Sequence, residues 1–144
     1  MNDYDPNHVH KKDFALIGQK AIILNSKNQI LVLLRSDKVG GAGKWSLPGG
    51  SLENGEEPYA AVKREIEEET QLSVADLSPY FLHTYTNRDN DFVLIVGYRC
   101  KVDSEEVVLN WEHDEYKWMS KDQALELNLS NDGRTLLENF RFDY

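Results

Sequence analysis

The chain has 144 residues, a net charge of −9, 40% hydrophobic residues and 28% charged residues. This length predicts one domain over residues 1–144 that can bury a core. The acidic balance argues against a surface that binds a nucleic-acid polymer, which needs clustered Lys and Arg. A small phosphorylated ligand stays compatible, because divalent cations can reverse the local charge.

The N-terminal residues 1–12 are polar and are expected to form a flexible lead-in, with His8 and His10 solvated. They contain no apolar h-region, and no apolar run in the chain approaches the length of a membrane span. The single cysteine, Cys100, lies in an apolar run and is expected to be a buried strand residue. We therefore expect a cytoplasmic protein without a membrane partner.

In the first half of the chain, apolar β-branched runs at 14–25 and 29–36 predict two strands joined by a tight turn. The Gly-rich segment 37–44 predicts a loop, and "WSLPGG" predicts a short extended piece that ends in a turn. A helical pattern follows from Glu57 to Gln71, with Pro58 where its missing N–H is harmless.

The second half predicts two further strands at 77–86 and 91–102, connected by a hairpin turn "NRDN". Residues 107–120 read as a strand or an extended loop. Ser120 is expected to cap a short helix, and Leu136, Leu137 and Phe140 are expected on one face of a final helix. The interspersed strands and helices predict a single α/β or α+β domain.

The helix after Pro58 carries four glutamates in the five residues 65–69. At about 100° per residue, Glu65, Glu68 and Glu69 fall on one face and Glu67 points away. Converging carboxylates need a counter-charge to stay ionised, which a hard cation such as Mg²⁺ supplies. The alternative is a solvated glutamate-rich helix face.

The segment before the helix favours the cation. Gly49, Gly50 and Gly55 permit close backbone approach, and Glu56 stands at the entry to the helix. Arg64 is placed to hold Glu56 or Glu68 by a bidentate bond. A plain surface salt bridge is the alternative for this arginine.

These residues resemble the Nudix hydrolase signature. Eight of its nine defined positions are present over 23 residues: Gly50, Glu56, Arg64, Glu65, Ile66, Glu68, Glu69 and Leu72. The departure is Gln71, which stands where the family has Gly. A Gly just past a helix often adopts a left-handed backbone conformation, so either Gln71 adopts it at a cost of roughly 1 kcal/mol or the loop geometry differs slightly.

The resemblance implies an α/β/α sandwich with a mixed β-sheet between helices. It also implies hydrolysis of a pyrophosphate bond in a nucleoside diphosphate linked to another group. Mg²⁺ or Mn²⁺ would be held by Glu65, Glu68 and Glu69, with the Gly49 carbonyl as a ligand in some members. A further acidic ligand is expected outside the signature, with Glu112 first and Glu115 second.

Catalytic roles are expected at Glu65, Glu68, Arg64 and Glu56. Glu65 or Glu68 would take the proton of the attacking water. Some family members use a loop residue for this step; Asp89 and Asp91 are such candidates, although solvated hairpin charges are the simpler reading.

Substrate contacts are expected at Gly50, Arg35 and Lys44, with an ordinary surface charge as the alternative for the last two. Phe81, Tyr85 and Trp45 could stack on a base, but core packing is the simpler role for each.

The leader "VGGAGKWSLPGG" resembles members that cleave nucleoside triphosphates to monophosphates, so these substrates come first, modified ones included. Cleavage of ADP-ribose or a nucleotide sugar is the runner-up. A catalytically silent nucleotide sensor and a cation-binding interaction protein are two further alternatives. The family resemblance leaves a homodimer possible.

Overall fold

The computed structural model describes residues 3–9 and 13–142. The described residues form seven strands and three helices: β1 Leu16–Leu24, β2 Ile30–Arg35, β3 Trp45–Ser46, β4 Gly49–Leu52, α1 Pro58–Thr70, β5 Ser78–Thr86, β6 Phe92–Lys101, β7 His113–Met119, α2 Lys121–Leu125 and α3 Asn131–Glu138.

The strands form one mixed sheet whose main order is β3-β2-β1-β6-β5. Strand β1 pairs with β6 in parallel along its whole length, while its first half pairs antiparallel with β4. Strand β2 pairs with β1 only at Leu24 and Ile30, and then runs antiparallel to β7 and β3. The sheet therefore divides along β1, which places the start of β4 next to the middle of β1.

Helices cover both faces of the sheet. Val62 and Ile66 of α1 pack on one face against Ala21, Ile23 and other buried side chains. Leu136 and Leu137 of α3 and Ala124 of α2 pack on the opposite face, beside Ile22. This is the predicted arrangement of a mixed sheet between helices, and it follows from the alternation of side chains along β1.

Most predicted elements are confirmed, with two differences. "WSLPGG" does not end in a simple turn, because Gly49 and Gly50 open β4. The final helix ends at Glu138, so Phe140 lies beyond it, although the Phe140 side chain is fully buried as expected. The hairpin from β5 to β6 and the Ser120 cap of α2 are as predicted.

Residues 3–9 of the lead-in are exposed, His8 included, whereas His10 lies outside the described residues. Cys100 is buried in β6, and burial raises the pKa of its thiol to about 12, which fits a structural residue. No helix within residues 3–9 and 13–142 is long and apolar enough to cross a membrane.

Candidate active site

A cleft of about 450 Å³ lies where β1, β4 and α1 meet. Its lining includes four of the predicted acidic residues and one predicted cation: Glu65, Glu68, Glu69, Glu112 and Arg35. The two glycines that open β4, Gly49 and Gly50, also line it. The structure thus brings together residues that lie far apart in the sequence.

The local sequence explains how α1 presents its glutamates. The Glu57 carboxylate caps the helix by accepting hydrogen bonds from the Tyr59 and Ala60 N–H groups, at 3.1 and 2.7 Å. Val62 and Ile66 are buried. The adjacent face of α1, which carries Glu65 and Glu69, meets β4. Glu67 points away into solvent, as the helical spacing predicts.

Glu69 lies deeper than the spacing predicts, since only 2% of it is exposed. Its Oε2 accepts a hydrogen bond from the Gly49 N–H at 3.1 Å. Burial raises the pKa of Glu69 to about 8, against the opposing effects of Lys20 and the Gly49 N–H; Glu112 and Glu65 also raise it. Burial therefore disfavours the ionised form of this carboxylate in the cleft.

Glu65 is half-buried and lies against Gly50. A Cβ atom at position 50 would lie 2.7 Å from the Glu65 Cδ atom, so only glycine fits without displacing the carboxylate. Burial raises the pKa of Glu65; Arg64 lowers it, and Glu68 and Glu112 raise it.

Arg64 holds the entry segment and the helix together, as the sequence predicts. Its guanidinium binds Glu56 at 2.9 Å and Glu68 at 3.0 Å, so it joins both of its predicted partners at once. The same group lies 3.4 Å from the Glu65 carboxylate. Because the ion pairs are exposed, their main effect is to fix side-chain positions rather than to add stability.

In this conformation, residues 3–9 and 13–142 contain no group of three Asp, Glu, His or Cys side chains close enough to hold one metal ion. The reason is visible in the contacts: Glu68 is turned to Arg64, and Glu69 is turned to the Gly49 N–H. The donor set still suits a divalent cation, because Mg²⁺ and Mn²⁺ prefer carboxylate oxygens. Burial, the largest cause of the raised pKa values of Glu65 and Glu69, disfavours their ionised forms, and a bound cation would favour those forms.

Glu112 lines the cleft just before β7. The Asn110 side-chain amide donates to Glu112 Oε1 at 3.2 Å, and Asn110 Oδ1 accepts from the Glu112 backbone N–H at 3.2 Å. The second choice for this role, Glu115, is exposed and lies 3.9 Å from Lys117. The structure therefore favours Glu112 over Glu115 as the additional acidic residue.

Several candidates lie outside this lining. Lys44 and Glu56 do not line the cleft, although Arg64 joins Glu56 to the cleft-lining Glu68. Asp89 and Asp91 lie exposed in the β5–β6 turn, where Asn87 bonds Asp91, which fits solvated hairpin charges.

The aromatic candidates take part in core packing. Trp45, Phe81 and Tyr85 all pack against the hydrophobic cluster on the α3 side of the sheet.

The sequence reasoning missed Lys20 and Asp132, which both line the cleft. Lys20 stands in the apolar strand β1, and a lysine in such a run was the available signal. Asp132 belongs to the first turn of α3 and nothing in its sequence setting marks it. Asp132 lies near Tyr85, whose pKa is raised to about 12 by burial and by this carboxylate.

Comparison with known proteins agrees with the site. A family model described as NUDIX domain matches residues 17–140. The chain is 26% identical over 119 residues to the nucleoside triphosphatase NudI of Escherichia coli, covering 76% of this chain and 84% of that protein.

Solved structures show the same fold. The MutT protein of Methanosarcina mazei Go1 is similar with a TM-score of 0.75 and 29% identity, over 90% of this chain and 94% of that one. The MutT NUDIX hydrolase of Burkholderia pseudomallei has a TM-score of 0.77 and 25% identity, over 90% and 100%. With the family match spanning most of its length, the chain belongs to the Nudix hydrolase family and hydrolyses pyrophosphate bonds of nucleotides.

Proposed function

We propose that this hydrolase converts a nucleoside triphosphate to the monophosphate and pyrophosphate, with Mg²⁺ or Mn²⁺ bound by Glu65, Glu68, Glu69 and Glu112. The observation that carries the proposal is the cleft that these carboxylates line together with Arg35 and the two glycines of β4. The named activity of the similar NudI protein supports the same substrate class.

The bound divalent cation would neutralise phosphate charge and lower the pKa of a water molecule. The chain's own residues do the remaining work. Glu65, with its raised pKa and its carboxylate against Gly50, is suited to accept the proton of the attacking water. Glu68 is the second candidate for this step.

The other contacts position the reacting groups. Arg64 would keep Glu56 and Glu68 in fixed orientations, and the Gly49 carbonyl would add a ligand from the strand. Arg35 would contact phosphate oxygens, and the absence of a side chain at Gly50 would let the substrate approach the backbone. Lys44 could contact phosphates only after its side chain moves, because it does not line the cleft.

The test is product release from a panel of nucleoside triphosphates, ADP-ribose, nucleotide sugars and dinucleoside polyphosphates, with Mg²⁺, with Mn²⁺ and with EDTA. We expect metal-dependent release of pyrophosphate and monophosphate from at least one triphosphate. Glu68→Gln should lose most of this turnover, while Glu67→Gln, on the opposite side of the same helix, should retain it.

Other results would redirect the proposal. Best turnover with ADP-ribose or a nucleotide sugar would select the runner-up substrate class. Nucleotide binding without turnover on the whole panel would indicate a sensor. Turnover that survives Glu68→Gln would refute the role of the acidic cluster. A homodimer and a cytoplasmic location stay predictions from the sequence.

A further inference from the structure

Lys20 has a cationic side chain in the cleft that no signature residue accounts for. The preceding residue, Gln19, turns its side chain toward α1, where it bonds the Pro58 carbonyl at 3.0 Å and the Tyr98 hydroxyl at 2.7 Å. Because side chains alternate along a strand, the Lys20 side chain points to the opposite face of the sheet, the face to which position 18 also belongs. Both residues line the cleft.

The Lys20 ammonium group makes no hydrogen bond or ion pair within the part of the chain that the structure describes. Burial lowers the pKa of Lys20; Glu69 raises it, Arg35 lowers it and Asp132 raises it. These acidic groups are thus close enough to act on the lysine but do not bind it directly. The N–H donors of this half-buried ammonium are not satisfied by the protein, and a ligand oxygen would accept from them.

The neighbouring imidazole of His113 does not supply the missing partner. His113 is buried, and both ring nitrogens lack a hydrogen-bond partner among the described residues. Neither this ring nor a carboxylate therefore bonds the Lys20 ammonium within the described residues.

We propose that Lys20 binds a non-bridging phosphate oxygen of the substrate and forms, with Arg35, a phosphate subsite in the cleft that the glutamates of α1 also line. This inference rests on the proposed function, because it assigns a contact to the nucleotide of the same site. A lysine acts there as a compact point charge, which suits a phosphate oxygen in a narrow space.

A simpler role for Lys20 would be to balance the charge of Glu69. In that case its removal would change the protein's affinity for metal and its stability but not its affinity for phosphates at saturating metal. The affinity for nucleotide at saturating metal therefore distinguishes the two roles. Lys20→Met keeps the length of the apolar stem and removes the charge, and Lys20→Arg keeps the charge.

The experiment measures the Kd of the α,β-methylene analogues of the four ribonucleoside triphosphates by calorimetry at saturating Mg²⁺. We expect Lys20→Met to raise the Kd at least about tenfold, as for loss of a charged hydrogen bond, and Lys20→Arg to stay within about threefold of the wild type. Lys27→Met, at an exposed position in the β1–β2 turn, should bind like the wild type.

Wild-type affinity in Lys20→Met, or a wild type that binds none of the analogues, would overturn the subsite. A second measurement does not depend on how Lys20→Met folds. The Nζ resonance of Lys20 in the wild type, assigned by its loss in Lys20→Arg, should shift when the analogue is added. An unmoved resonance would also overturn the proposal.

Failure of the Lys20 subsite and failure of the proposed function would give different results. Triphosphate turnover by the wild type with Lys20-independent binding would leave the function standing and remove the subsite. Lys20-dependent binding without turnover would retain the subsite and remove the proposed reaction.

Discussion

At the scale of single residues, Gln71 shows the departure from the signature most clearly. It caps the C-terminus of α1 in the left-handed conformation, with φ 57° and ψ 17°. The strain expected from the sequence is therefore present at that backbone position. Its N–H donates to the Glu67 carbonyl at 2.8 Å, so the helix still ends with a bonded cap.

Gln71→Gly should stabilise the protein by about 1 kcal/mol, because glycine adopts this conformation without a Cβ clash. Urea unfolding measures the change. Gln71→Ala keeps the Cβ atom and should give no comparable gain. Equal stabilisation by both substitutions would show that backbone strain at this position is not the cause.

Gly50 is the second single position of interest, because adding a Cβ atom there would change the geometry of the site. A Cβ atom there would lie 2.8 and 2.9 Å from the Glu65 carboxylate oxygens. Gly50→Ala should therefore displace Glu65 and lower kcat/KM roughly 10–100-fold with little loss of stability.

Turnover of the best substrate with Mg²⁺, together with the thermal midpoint, measures the effect. Gly40→Ala is the matched control, since a Cβ atom at Gly40 meets nothing within 4 Å. Activity retained in Gly50→Ala would mean that Glu65 tolerates the shift and does not need its present position.

At the scale of elements, the cleft depends on how α3 is anchored. The Ser130 side chain accepts a hydrogen bond from the Gly133 N–H at 3.2 Å and caps this helix. The Ser130 N–H donates to the Trp45 carbonyl at 2.8 Å, which ties the start of α3 to β3. Asp132, in the first turn, is thereby held at the edge of the cleft.

Ser130→Ala removes the cap and should destabilise the protein by about 1 kcal/mol, measured by urea unfolding. The backbone bond to Trp45 does not depend on the side chain, so the fold should persist. Ser73→Ala, at an exposed position outside any helix or strand, should change stability by less than about 0.5 kcal/mol. Similar effects of both substitutions would contradict a capping role.

At the scale of the whole molecule, the burial of the Glu69 carboxyl should make the stability of the protein depend on pH. The pKa of Glu69 is about 8 in the folded chain against an ordinary value of 4.5. Between these pH values the unfolded chain has lost the proton that the folded chain still holds. Without metal, stability should therefore fall as pH rises from about 4.5 to 8 and change no further above it.

Glu69→Gln should remove this dependence and, in EDTA, be more stable than the wild type by on the order of 3 kcal/mol at pH 8. Near pH 4.5 the two proteins should be nearly equal. Chemical unfolding across this pH range is the measurement, with Glu67→Gln as an exposed control that should follow the wild type. A pH-independent difference would show that burial does not hold the proton on Glu69.

Adding Mg²⁺ at pH 8 extends the same prediction. A cation that binds the folded cleft should stabilise the wild type, and Glu69→Gln should gain less. Equal gains in both proteins would place the cation away from Glu69.

Much of this molecule could be predicted from local patterns in the sequence. Alternation located the main strands, the 3.6-residue period located α1, and the spacing of Glu65, Glu68 and Glu69 placed them on one helix face. The reach of Arg64 to Glu56 and Glu68 also followed from spacing. These features depend on neighbours within one element or one turn, which the chain order specifies directly.

Only the tertiary structure decided the rest. The sequence does not state that β4 pairs with the first half of β1, yet this pairing buries Glu69 against Gly49 and brings Lys20 beside it. Likewise, the packing of α3 brings Asp132 to a cleft formed mainly by residues of the other half of the chain. The sequence by itself determined the family and the acidic face, because both are local patterns. The burial, pKa values and cation arrangement of the cleft depend on long-range strand pairing and on desolvation, which no local pattern records.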